Sequence, residues 1–152
     1  MFSLFRKKQL LDKDDQERIV AAIRAAEATT TGELRVFIES HCSYVDAMDM
    51  AIELFTKLGM QNTERRNAVI VYLAIDDRQF AVYGDEEIFK KAGGPVFWES
   101  AASELKRLLK EGKITEGLVT CIKILGNALA KHFPYDPAIQ KNELPDEIVF
   151  GK

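Results

Sequence analysis

Residues 68–88 read AVIVYLAIDDRQFAVYGDEEI, and the fold turns on how that stretch divides. Ala68–Ile75 is apolar at every position, the pattern of a strand covered on both faces. Asp76-Asp77 interrupts it. Gln79–Tyr83 resumes as a shorter strand, and Gly84-Asp85-Glu86-Glu87 ends that run. Two strands joined by so short a connection must run antiparallel. Asp85 followed by two glutamates has the composition of a helix start, with acid at the positive end of the helix dipole.

Upstream, the polar loop QNTERRN (61–67) leads back to a helical pattern over 46–58. There Ala47, Met50, Ala51, Leu54 and Leu58 recur at helical spacing, and Gly59 suits a left-handed exit. Before it, ELRVFIES (33–40) is rich in strand formers, with Leu34, Val36 and Ile38 on one face. Strand, helix, strand is a βαβ unit, so the first two strands are expected to be parallel neighbours. A helix starting near Asp12 to Asp15 precedes them. Asp14 and Glu17 read as its capping box, and Ile19, Ile23 and Ala26 as its apolar stripe. Two more helices follow the hairpin, over about 97–111 and from Thr115 to about His132, where Pro134 limits continuation. The expected fold is α/β: a three-layer α/β/α sandwich with a small mixed sheet, a βαββ core plus flanking helices. The division is a flexible arm over 1–11, one domain over 12–133, and an extended or disordered tail over 134–152.

The 152 residues suffice for one domain with a real core. A net charge of −3 argues against a nucleic-acid partner, which needs a concentrated basic face. The densest basic run is Arg6-Lys7-Lys8, in the arm. No run approaches the roughly 20 apolar residues of a membrane span, so a cytoplasmic location is expected. Cys42 and Cys121 have no local spacing motif and read as free thiols. There is no P-loop, G-x-S-x-G, H-E-x-x-H or G-x-G-x-x-G, and AGGP at 92–95 is a chain breaker.

This topology sorts the polar residues to two edges of the sheet. At the carboxyl ends of the first two strands lie Glu39, Ser40 and His41 with Asp76, Asp77 and Arg78. Asp46, at the next helix start, joins them. Open α/β sheets bind ligands at that end. Asp76, Asp77, Glu39 and Asp46 are therefore the candidate ligands for a hard divalent cation, which takes clustered oxygens. The competing reading of Asp76-Asp77 is turn chemistry, in which aspartate bonds nearby amides. At the amino edge, about 25 Å away along a strand, lie Glu33, Arg66, Asn67 and Asp85. They form an alternative binding cluster, read otherwise as an edge residue, loop solvation and a helix cap.

The segments TTGELRVFIES, RRNAVIVYLAIDDRQFAVYGDEEI and KITEGLVTCIKILGNALAKHFP together resemble the TPM-domain family. That family includes thylakoid-lumen phosphatase-like and bacterial proteins. The likeness covers about 12–133 and rests on the order of Thr31-Gly32-Glu33, Arg66-Asn67, Asp76-Asp77-Arg78 and the Gly-Leu of the last helix. It implies an α/β/α sandwich that binds Ca²⁺ or Mg²⁺ in acidic loops, with acid phosphatase activity attributed to plant members. Asp76 and Asp77 then become the preferred ligands, and Glu33, Arg66 and Asn67 the family-pattern positions. The usual Gly-Leu-Glu after the third strand is Gly84-Asp85-Glu86 here. Many members also carry a signal peptide and a membrane or Gly-rich C-terminal segment, and neither is expected here. The functional expectation is a divalent-cation-binding domain with at most weak phosphatase activity. The alternatives are a non-catalytic module for a protein partner, with LPDEIVF in the tail as its contact, and a metal-assisted acid phosphomonoesterase.

Overall fold

The computed structural model describes residues 11–93, 95–139 and 147–151. Most of the N-terminal arm, including Arg6-Lys7-Lys8, and the Leu144-Pro145-Asp146 part of the tail lie outside them.

The central strand β2 (Ala68–Ala74) is buried along its whole length, as its unbroken apolar run requires. β1 (Glu33–Glu39) pairs with it in parallel, from Glu33 opposite Ala68 to Glu39 opposite Ala74. β3 (Gln79–Gly84) pairs with its other side antiparallel. These three strands match the βαββ expectation. A fourth strand, β4 (Ile148–Phe150), lies beyond β1 and parallel to it, giving the order β3-β2-β1-β4. Ile148–Phe150 of the tail thus pairs with the edge of its own sheet.

Side chains alternate across the sheet. Leu34, Val36 and Ile38 of β1 and Val69, Val71 and Leu73 of β2 face one layer of helices. That layer comprises α1 (Lys13–Glu27), α4 (Pro95–Lys110) and α5 (Ile114–His132). Phe37, Ala68, Ile70, Tyr72 and Ala74 face α2 (Ala47–Lys57) on the other side. The short α3 (Glu86–Ala92) follows β3. The result is the three-layer sandwich. Leu118, Cys121, Ile122, Leu125 and Leu129 of α5 are all fully buried, so truncating one leucine would cost about 2–5 kcal/mol. α1 and α5 cross closely at Gly126, where an added Cβ would stand 2.6 Å from the Cβ of Ala26.

Helix α1 starts within the expected window, but its cap lies two residues before the expected Asp14. Asp12 is the cap, accepting the Asp15 amide at 2.8 Å, and Asp14 sits in the first turn. Both residues can serve as caps, and Asp12 does so because the chain is extended there (ψ 175°).

Candidate functional site

The amino edge is built around Asp85. Its amide bonds the Ala68 carbonyl, continuing the β2–β3 pairing by one residue. Its carboxylate caps α3 by accepting the Glu86 amide at 2.7 Å. The same carboxylate accepts from Arg66 Nε and Nη2 at 2.8 and 2.9 Å, a two-pronged pair, with Glu86 3.5 Å from Arg66 Nη1. Hydrogen bonding to Asp85 holds the Arg66 guanidinium firmly charged. Asn67 donates to Thr31 Oγ at 3.2 Å, and the Thr31 amide donates to the Phe133 carbonyl. Thr30 Oγ donates to that same carbonyl, which ties the end of α5 to the start of β1. Glu33, Asn67 and Asp85 are all buried. A cavity of about 410 Å³ opens beside them, lined by Thr31, Glu64, Arg65, Arg66, Glu87, Lys91 and Phe133. Its charges are mixed and largely paired: Lys91 lies 3.9 Å from Glu87 and over the Phe133 ring at 5.6 Å.

The carboxyl edge is more open. The β1–β2 pairing runs on past the strands, with the amides of Ile75 and Asp76 bonded to the carbonyls of Glu39 and Ser40. This brings the loop after β1 against the β2–β3 turn. Asp77 bridges the two, accepting the Cys42 amide at 2.6 Å and meeting His41 Nδ1 at 2.9 Å. Those contacts, His41 first, hold the Asp77 carboxyl below the usual carboxylate range. Asp76 lies 3.7 Å from the other ring nitrogen of His41. His41, Asp76 and Asp77 are 66%, 43% and 30% exposed. Glu39 instead accepts the Tyr72 hydroxyl at 2.5 Å, and burial together with that bond raises the Tyr72 pKa. Asp46 caps α2 by accepting the Met48 amide at 2.9 Å.

The structure thus brings Asp76, Asp77 and His41 together and gives Glu39 and Asp46 separate hydrogen-bonding duties. Among the described residues, no three His, Cys, Asp or Glu side chains gather into a set able to hold a metal ion. The four candidate ligands are therefore not a preformed cage. The sequence places His41 at this edge but not its bond to Asp77, because 36 residues separate the two and no local spacing announces the pair. Glu27 was missed; it is buried and accepts the Leu34 amide at 2.7 Å, a further tie between α1 and β1.

Beside Asp76 a second cleft, of about 340 Å³, runs between the β2–β3 turn and the α4–α5 turn. No helix among the described residues is long and apolar enough to cross a membrane.

Comparison with known proteins agrees with this architecture. The family model of the TPM domain matches residues 4–128. The solution structure of the BA42 protein from the psychrophilic bacterium Bizionia argentinensis is similar at 38% identity. The match covers 93% of this chain and 95% of that one, with a TM-score of 0.85. The N-terminal domain of the cg2496 protein from Corynebacterium glutamicum shares the fold at 18% identity and a TM-score of 0.64, over 78% of this chain and 74% of that one. An N-terminal domain from P. gingivalis does so at 14% and 0.62, over 84% and 83%. No functionally curated protein matches the sequence.

Proposed function

Starting from the fact that the chain belongs to the TPM-domain family, we propose that it binds a divalent cation, Ca²⁺ or Mg²⁺, at Asp76 and Asp77. One observation carries the reading. Two adjacent, partly exposed carboxylates end the central strand and face the two nitrogens of His41. Such hard oxygen donors fit a hard cation, which keeps water where the protein supplies few ligands. With two carboxylates and no cage, the affinity belongs to the weak class of calcium modules, with Kd about 0.1–1 mM. Cys42 and His41 orient Asp77, Tyr72 holds the Glu39 carboxylate, and Asp46 fixes the start of α2. When bound, the ion would neutralise the acidic pair and polarise an oxygen of any phosphate ester brought to this edge. Weak phosphatase activity would draw on the same carboxylates.

The test is calorimetric titration of the full chain with Ca²⁺ and with Mg²⁺, beside the double variant Asp76→Asn, Asp77→Asn. Saturable binding that disappears in the variant supports the proposal. Equal binding in the variant, or none in the parent up to about 10 mM, rejects it. The phosphatase part fails separately if the variant hydrolyses a generic phosphate monoester as fast as the parent.

A further inference from the structure

Among the described residues two non-glycine positions hold left-handed backbone: Arg66 at φ 51° and Arg78 at φ 55°. A side chain with a Cβ is disfavoured there. At Arg66 the disfavoured backbone delivers the guanidinium to Asp85 and Glu86. Arg78 closes the hairpin turn by donating its amide to the Ile75 carbonyl at 3.2 Å. Glycine or asparagine would make that turn with less strain. What arginine adds is its guanidinium, and no carboxylate among the described residues pairs with it.

Arg78 lines the 340 Å³ cleft, whose volume falls within the range of small-molecule sites. Lys110 stands on the same cleft, also without an ion pair among the described residues; nearby Glu111 is engaged by Arg107 and Lys113 instead. The other walls are mainly apolar, from Leu73, Ile75, Leu109 and Ile114. Gly112 completes the lining where the chain turns from α4 to α5, and a Cβ there would meet nothing within 4 Å. Asp76 adds one negative charge against two positive ones. A net positive cleft with apolar side chains beside its cations suits one class of ligand.

We infer that the cleft between the β2–β3 turn and the α4–α5 turn binds a small amphipathic anion, a carboxylate or phosphate monoester. Its charged head pairs with Arg78 and Lys110, and its apolar body covers Ile75, Leu109 and Ile114, over the buried Leu73. A planar guanidinium grips either head group through two parallel hydrogen bonds. The two basic residues supply the charge by themselves, so the site does not depend on a cation at Asp76.

The probes are hexanoate and phenyl phosphate, with inorganic phosphate and hexanol as head-only and body-only controls. Each is titrated into isotope-labelled full chain without added metal, and amide and methyl resonances are followed. Either amphiphile should shift the methyls of Leu73, Ile75, Leu109 and Ile114 and the amides around 78 and 110 in a saturable way. A preference for hexanoate or phenyl phosphate identifies the head group, and both outcomes support the site. Each control should bind at least about tenfold more weakly. Arg78→Gly should keep the parent's melting temperature or exceed it, yet lose at least about tenfold in affinity, the effect of removing one charged hydrogen-bonding partner. Lys110→Gln should lose less. No saturable shift from either amphiphile up to about 10 mM would overturn the inference. So would unchanged affinity in Arg78→Gly, or inorganic phosphate binding as tightly as phenyl phosphate.

Discussion

Arg66 and Arg78 hold the same disfavoured backbone conformation at opposite edges of one sheet, but their surroundings differ. Arg66 sits on a buried aspartate that also caps a helix and extends a strand pairing. Arg78 faces a cleft beside an exposed pair of aspartates. Strain with a compensating partner marks a place where the chain is held together. Strain without one marks a place where a side chain is held out for something else. On this comparison the amino edge is chiefly structural and the carboxyl edge is where ligands are expected.

The largest effect should come from breaking the amino edge. Asp85→Ala removes the α3 cap and the partner of Arg66 together. Urea denaturation should show a loss of at least about 1 kcal/mol, the value of a cap alone. Arg66→Gly should also destabilise, but by less, because glycine relieves the backbone. Arg78→Gly should do the reverse and gain about 0.5 kcal/mol, since relief of left-handed strain slightly exceeds the entropy that glycine adds to the unfolded chain. If both glycine variants shift stability in the same direction, the contrast between the edges is wrong.

A smaller effect follows from Asp77. Its folded pKa lies below that of the unfolded carboxyl, so its contribution is present above about pH 4 and lost as pH falls through the folded value. Acid unfolding of His41→Ala should therefore show a shallower loss below about pH 4 than the parent. The two thiols extend the contrast between surface and interior. Burial raises the Cys121 thiol to about 12, whereas Cys42 lies in the loop bonded to Asp77. Mass spectrometry after brief alkylation of folded protein should find Cys42 modified and Cys121 intact. Because the folded Cys121 keeps its proton longer, it favours folding below about pH 9, and that advantage fades as pH rises toward 12.

The order and direction of β1, β2 and β3 are legible in the sequence because their signals are local. An apolar run of full length marks the central strand, and a tight Asp-rich turn dictates the antiparallel return. The cap at Asp85 is legible for the same reason, whereas Asp46 reads from sequence as a candidate ligand at a helix start and proves to be that helix's cap. β4 is not, because three residues in a proline-containing tail become a strand only where β1 leaves an open edge. The duties of the acidic residues are half legible. Their placement at two edges follows from topology, but the pairings Asp77 with His41 and Asp85 with Arg66 span 36 and 19 residues. Left-handed arginines carry no sequence signal at all, since arginine has no preference for that conformation.

The measurement that bears most directly on this account is an amide-resolved titration of the labelled full chain with Ca²⁺, watching both edges in one experiment. Saturable shifts are expected at 39–42 and 76–78, while 64–67 and 85–87 stay in place. Shifts confined to 64–67 and 85–87, or none at either edge up to about 10 mM, would contradict it.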